Sequence, residues 1–160
     1  MKRNMVRTML LMISLATVCI GVAPAAQAAK CSTETVAGDW GLTLIGTILT
    51  PSGGVPAAAI ATATIDKNGT VTNGSEARNV GGGYADETVT GNWTVKPDCT
   101  GTLNVNIYES GVLVRVSVVS ITFDDDSAEF RGVQKSLTLP GGTQIPVVIT
   151  LEGHRQHSDH

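Results

Sequence analysis

Two runs of alternating apolar and polar residues constrain the fold of this chain more than any other feature. They span residues 87–95 and 102–108, and the turn-forming tripeptide Lys96-Pro97-Asp98 separates them. Because successive side chains of a β-strand point to opposite faces, this alternation indicates two strands that each bury one face. The residues on the buried face are Val89, Gly91, Trp93, Val95, Leu103, Val105 and Ile107. The pattern therefore predicts a β-hairpin.

Most of the remaining chain shows the same kind of pattern. Further strands are predicted over residues 40–49, 57–65, 70–73, 112–123, 128–139 and 145–151. No segment after the first 30 residues has sustained helical periodicity, so we predict an all-β fold. Short turns between about eight strands favour an antiparallel up-and-down β-barrel, whose closure removes exposed sheet edges. Residues 74–87 contain three consecutive glycines and are predicted to be the least ordered part of the body.

The apolar pattern changes phase within residues 112–123. Val112, Val114, Val116 and Val118 share one face, whereas Val119, Ile121 and Phe123 share the other. A strand buried on both sides, or a β-bulge near residues 117–119, would account for the change. The phase also decides where Arg115 points. An inward Arg needs a ligand carboxylate or a partner such as Glu109 or Glu129, since an unpaired buried charge is costly; the alternative is an exposed Arg.

The N-terminus has the three parts of a secretory signal peptide. Basic residues come first, an apolar run follows over residues 8–23, and Ala26-Gln27-Ala28 forms a small-residue cleavage site. We predict a cleavable leader over 1–28, a barrel domain over 29–153 and a disordered polar tail over 154–160. The protein is then periplasmic or secreted. The apolar run is short for a bilayer span, so no stable membrane anchor is expected.

The charge balance argues against nucleic acid as a partner. The chain has 11 Lys and Arg residues against 14 Asp and Glu, and three of the basic residues lie in the leader. The mature chain would therefore carry 8 basic and 14 acidic residues, a formal net charge of −6. Its basic residues are scattered, which does not suit a surface that follows a phosphate backbone.

Two cysteines remain after the leader, which contains Cys19, has been removed. They are Cys31 and Cys99. In an oxidising compartment a disulfide between them is expected. Because the pair lacks the Cys-x-x-Cys spacing of redox sites, we assign it a structural role.

Gly38-Asp39-Trp40 opens the first predicted strand. A Gly-x-Trp at this place resembles the lipocalin and wider calycin pattern, although the second and third lipocalin signatures and the C-terminal helix are absent. The resemblance implies that the Trp closes one end of the barrel and packs against an Arg from near the last strand, here Arg155 or Arg131. The overall layout is similar to small exported bacterial β-barrel proteins of unassigned function. At the level of fold it also resembles the allene oxide cyclase-like barrels.

The sequence shows no catalytic signature. All three histidines, His154, His157 and His160, lie in the predicted tail, so a Ser-His-Asp or Cys-His device would have to recruit that tail. The spacing of these histidines does not make a preorganised metal site, and residues 124–126, three aspartates, are interpreted as a solvated turn. We therefore expect no metal and no cofactor.

The favoured function is binding of a small hydrophobic or amphipathic ligand inside an exported, non-catalytic barrel. The predicted ligand-binding residues are Trp40, Leu44, Trp93, Val105, Arg115 and Ile121. A cyclase- or isomerase-like cup, with Arg115, Tyr84 or Tyr108 supplying polarity, is one alternative. A fully packed barrel that serves as a structural or surface subunit is another. The sequence does not decide whether the barrel has a cavity or whether the protein forms oligomers.

Overall fold

The computed structural model describes residues 31–124 and 126–156, which form a closed barrel of eight antiparallel strands in sequence order. The strands are β1 (Gly38–Thr50), β2 (Gly53–Ile65), β3 (Thr70–Val80), β4 (Gly83–Val95), β5 (Thr100–Glu109), β6 (Val112–Phe123), β7 (Glu129–Thr138) and β8 (Val147–Arg155). The predicted fold class is confirmed. The predicted leader and residues 157–160 of the predicted tail lie outside the described residues. Within the described part of the chain, no helix has the length and hydropathy of a membrane span.

The barrel closes through pairing of β1 with β8, which runs from Trp40 opposite Arg155 to Ile48 opposite Val147. Because neighbouring strands are antiparallel, the connections lie alternately at the two ends of the barrel. We call the end with the β2–β3, β4–β5 and β6–β7 turns the closed end, and the end with the other four connections the open end. This division separates a tightly packed half from a hollow one.

Four aromatic side chains fill the closed end. Trp40, Trp93, Phe123 and Phe130 form a cluster whose ring centroids lie 5.1–5.9 Å apart. Residues 31–37 form a short segment before β1, and the indole Nε1 of Trp40 donates a hydrogen bond of 2.9 Å to the backbone oxygen of Val36 in it. A buried indole N–H needs such a partner, so this bond links the segment to the aromatic cluster.

Arg155 is the arginine that packs on Trp40. Its guanidinium carbon lies 5.5 Å from the centroid of the Trp40 ring, within the range of a cation–π interaction. Its Nη2 also donates a hydrogen bond of 2.6 Å to the backbone oxygen of Thr35. Arg131, the other residue considered, has a side chain that is 74% exposed and lies near Asp124.

The predicted disulfide is confirmed: Cys31 and Cys99 are bonded, with 5.0 Å between their Cα atoms. Cys99 lies in the β4–β5 turn, so the bond joins this turn to the segment that precedes β1. The backbone N–H of Val95 adds a hydrogen bond of 3.1 Å to the hydroxyl of Thr33 in the same segment. These contacts hold residues 31–37 against the closed end.

Residues 74–87 are regular strand, contrary to the expectation that they are the least ordered part of the body. They belong to β3 and β4, which pair from Gly74 opposite Val89 to Val80 opposite Gly83. Gly81 and Gly82, both with positive φ, make the turn between them. The apolar alternation that identifies other strands is missing here because the inward positions carry charged side chains.

β6 takes part in two register shifts, and β8 is longer than the sequence pattern predicts. The β-bulge predicted near residues 117–119 corresponds to a register shift between Val118 and Val119 in the pairing of β6 with β7. A second shift lies in the pairing of β5 with β6, where the extra residue on β6 is Val114. β8 also continues to Arg155, two residues beyond the predicted end of the domain, because the pairing with β1 and the contact with Trp40 hold its last residues.

Removal of the disulfide should destabilise the fold. For the 68-residue separation of Cys31 and Cys99, the chain-entropy relation gives a loss of about 4 kcal/mol in the free energy of unfolding of a Cys31→Ser/Cys99→Ser variant. Urea denaturation of the oxidised wild type and the variant measures the difference. Reductant should destabilise the wild type and leave the variant unchanged. An equal response of both proteins would contradict the structural role of the bond.

Gly153→Ala should destabilise the closed end. A Cβ atom at Gly153 would lie 2.0 Å from Cε1 of the buried Phe130 ring, so the ring would have to move. Overpacking of this kind costs about 1–3 kcal/mol in the free energy of unfolding. Gly141→Ala is the matched control, because a Cβ atom there meets open space. Thermal denaturation of the two variants checks the prediction, and equal midpoints would contradict it.

Candidate functional site

The open half of the barrel contains a cavity of about 330 Å³. Side chains from all eight strands line it, and Leu139 and Ile145 of the β7–β8 connection extend the lining to the open end. Most of the lining is aliphatic. The cavity is therefore an apolar space that reaches the rim of the barrel.

The cavity exists because β2 presents small side chains to the interior. Ala57, Ala59, Ala61 and Ala63 alternate along β2 and belong to the lining. A methyl group projects too little to reach the opposite wall, which the strand order places at β6, where Val114 and Val119 belong to the lining. The closed sheet cannot collapse onto the short side chains, since its width is set by the number of strands and their stagger.

Four of the six predicted ligand-binding residues line this cavity: Leu44, Trp93, Val105 and Arg115. The structure places the other two, Trp40 and Ile121, in the closed-end core, and neither belongs to the lining. Trp40 instead packs against Trp93, with 5.4 Å between ring centroids. Alternation along a strand predicts which residues point inward, but it does not predict how far along the barrel axis the cavity extends.

Five charged side chains gather on the β3–β6 side of the barrel, and we call them the ion cluster: Glu76, Arg78, Glu87, Glu109 and Arg115. Glu87 accepts hydrogen bonds from both arginines, two from Arg115 at 2.6 Å each and one from Nε of Arg78 at 2.7 Å. Arg115 also donates to Glu76 at 2.8 Å, and Arg78 reaches Glu109 at 3.5 Å. Bidentate pairing of this kind is strong and fixes the geometry of the guanidinium.

The centre of the ion cluster is buried. The side chain of Glu87 is 0% exposed, that of Glu76 is 9% exposed and that of Arg115 is 16% exposed. Arg115 therefore points inward, as one of the two sequence-based interpretations requires. Its partners are Glu87 and Glu76, whereas Glu109 pairs with Arg78 and Glu129 lies at the closed end beside His154.

Burial and pairing shift the two buried carboxyl groups in opposite directions. Burial raises the pKa of Glu76, and the charge of Arg115 offsets this only in part. Burial also acts to raise the pKa of Glu87, but the hydrogen bonds from Arg115 and Arg78 outweigh it, so the net shift is downward. For Arg115, burial favours the neutral form, yet the bonds from Glu87 and the charge of Glu76 raise its pKa.

Sequence reasoning missed Glu76, Arg78 and Glu87 as interior residues. Glu87 has the same parity as Val89 and Trp93, which the alternation places inward, so this signal was present in the sequence. Charged residues are seldom fully buried unless they are paired, and the pairing partner on β6 is far away in sequence. The alternation thus indicated that Glu87 points inward, but the sequence did not show the arginine partners that allow it to be buried.

Neither tyrosine considered for a catalytic role lines the cavity. Tyr84 lies on the outer surface, where its hydroxyl donates to Asp86. Tyr108 pairs with Leu113 and with Thr88, an exposed residue of β4. The polar residues of the lining are instead three members of the ion cluster, Glu76, Arg78 and Arg115, together with Thr62, Ser117 and Gln134.

Comparisons with known proteins identify no relative of this chain. No protein-family model matches the chain, and neither the curated proteins nor the solved structures provide a match.

Glu87→Gln should be strongly destabilising. It removes the carboxylate that both arginines share, and breaking one side of a buried ion pair costs about 3–5 kcal/mol in the free energy of unfolding. Glu152→Gln, at an exposed position of β8, should change little. Urea denaturation at neutral pH compares the two variants, and equal stabilities would contradict a structural role for the ion cluster.

The pH dependence should distinguish Glu87 from Glu76. The folded-state pKa of Glu87 lies below its ordinary value of 4.5, so its contribution to stability is present above that pH and is lost on acidification. The pKa of Glu76 lies above 4.5, so its contribution is largest below that pH and falls as the pH rises. The stability difference between wild type and Glu87→Gln should therefore shrink on acidification, and that between wild type and Glu76→Gln should grow.

Proposed function

We propose that the protein binds a small, mainly apolar ligand in the barrel cavity and does not transform it chemically. The observation that carries this proposal is the cavity of about 330 Å³, with an aliphatic lining and a few convergent polar groups at one side. Ligand sites have this composition, and their volumes run from about 300 to 1,000 Å³. The cavity lies at the small end of that range.

The size of the cavity limits the ligand. A water molecule occupies about 30 Å³ in the liquid. If each non-hydrogen atom of a ligand takes about the same volume, the cavity holds a ligand of roughly ten such atoms. An eight- to ten-carbon chain or a compact bicyclic molecule meets this limit. The aromatic ring of Trp93 forms part of the lining and would contact the inner end of the ligand.

Kinship with the lipocalin and calycin barrels is part of this proposal. It is supported by the up-and-down topology of eight strands and by Arg155 packing on Trp40 of the Gly-x-Trp. The features of the leader support export to the periplasm or beyond, where such a barrel would meet ligands from outside the cell. Similarity to small exported bacterial proteins belongs to the same proposal.

A cyclase- or isomerase-like activity is the second candidate. The observation that favours it is the pair of buried carboxyl groups, Glu76 and Glu87, whose pKa values are shifted in opposite directions. Such pairs provide acid and base groups in many enzymes. Glu87, however, already accepts three hydrogen bonds from the two arginines. Of this pair, Glu76 is therefore the carboxyl group that could interact with a substrate. We therefore rank binding first.

A filled cavity should abolish binding. Ala61→Phe adds a ring inside the barrel, whereas Ala77→Phe adds the same ring on β3 at a residue outside the cavity lining. Titration with 1-octanol, followed through the fluorescence of the tryptophans, should give at least tenfold weaker binding for Ala61→Phe and unchanged binding for Ala77→Phe. Ala61→Phe should retain its thermal midpoint, since the ring occupies empty space.

Two results would contradict the proposal. One is a wild-type protein that does not bind 1-octanol, and the other is an Ala61→Phe variant that binds it as well as the wild type. Native mass spectrometry of the exported protein gives a separate test, in which a co-purified apolar molecule of roughly ten non-hydrogen atoms is the expected finding.

A further inference from the structure

Glu76 has an oxygen atom that is available to a ligand. Its Oε1 accepts the hydrogen bond from Arg115 at 2.8 Å, but no described residue donates to Oε2. The side chain is 9% exposed and belongs to the cavity lining. An ionised carboxylate oxygen can accept further hydrogen bonds, so an oxygen without a donor on a side chain that lines the cavity can accept one from a ligand. Burial raises the pKa of this carboxyl group, which is consistent with incomplete compensation of its charge.

The charge of each arginine, in contrast, is already paired with two carboxylates. Arg115 donates three hydrogen bonds to Glu87 and Glu76, and Arg78 donates one each to Glu87 and Glu109. The ion cluster contains three carboxylates and two guanidiniums, so its net charge is −1 when all five groups are ionised. A ligand carboxylate would add negative charge to this region. A cation would bring its net charge to zero.

From these contacts we propose that the cavity selects an apolar amine, whose hydrocarbon part lies against the alanines of β2 and whose ammonium group donates to Oε2 of Glu76. This inference rests on the proposed binding function and specifies its ligand class. An ammonium group in an apolar interior needs an opposite charge and hydrogen-bond acceptors, and Glu76 supplies both. The hydrocarbon part needs only the aliphatic walls.

The test uses three ligands with the same eight-carbon chain: octylamine, 1-octanol and octanoate. Titration calorimetry at pH 7.5 should show octylamine binding at least tenfold more tightly than octanoate, with 1-octanol between them. In Glu76→Gln the advantage of octylamine over 1-octanol should disappear, while 1-octanol binding stays within threefold of wild type. Glu109→Gln removes the same charge from a half-exposed position of the ion cluster and should reduce octylamine binding less than threefold.

A pH series on the wild type tests the same inference without a variant. Octylamine stays protonated between pH 5 and 8, since alkylamines like the lysine side chain have a pKa of about 10.4. The groups that face Glu76 are Arg115 from β6, Glu87 from β4 and Arg78 from β3. Octylamine binding should weaken as the pH falls and Glu76 gains a proton, whereas 1-octanol binding should stay constant.

The outcomes separate this inference from the proposed function. Equal affinities for the three ligands, or tightest binding of octanoate, would overturn the selection of an amine and leave cavity binding intact. Retention of the octylamine advantage in a folded Glu76→Gln variant would overturn the role of Glu76. Failure of all three ligands to bind would contradict the proposed function itself.

Discussion

Pairing of β1 with β8 is the constraint on which the rest of the structure depends. Once the sheet is closed, every second residue of each strand must fit into one narrow interior, and the backbone hydrogen bonds prevent the walls from approaching one another. Large aromatic side chains fill this interior at the closed end, where the disulfide and Arg155 hold them. The alanines of β2 leave it empty in the other half. Closure thus produces both the packed closed end and the cavity.

The same closure explains how charged residues come to be buried. Glu76, Glu87 and Arg115 occupy inward positions on three different strands, and each would be costly in an apolar interior without the others. Their mutual hydrogen bonds solve that problem and also concentrate polarity on one side of the cavity. The mixture of an apolar wall and one charged side is what makes a ligand with two chemically distinct parts the best complement to this space.

Features that depend on neighbouring residues could be predicted from the sequence, whereas features that depend on contacts between distant strands could not. The hairpin of residues 87–108 was readable because inward Val and Leu residues alternate with Thr and Asn. β3 and the first part of β4 were misread because inward glutamates and an arginine conceal the same alternation. Leu44 and Trp93 were correctly assigned to an inward face, but so were Trp40 and Ile121, which lie too near the closed end to contact the cavity.

The sequence by itself determined the pattern of most strands, their inward and outward faces and the pairing of Cys31 with Cys99. These properties depend on neighbouring residues or on a choice between two thiols, so local spacing is enough to define them. Only the tertiary structure decided that the alanines of β2 face a cavity and that Arg115 meets Glu87 and Glu76. Those contacts join strands that are far apart in the chain, and the barrel brings them together through its closure and register.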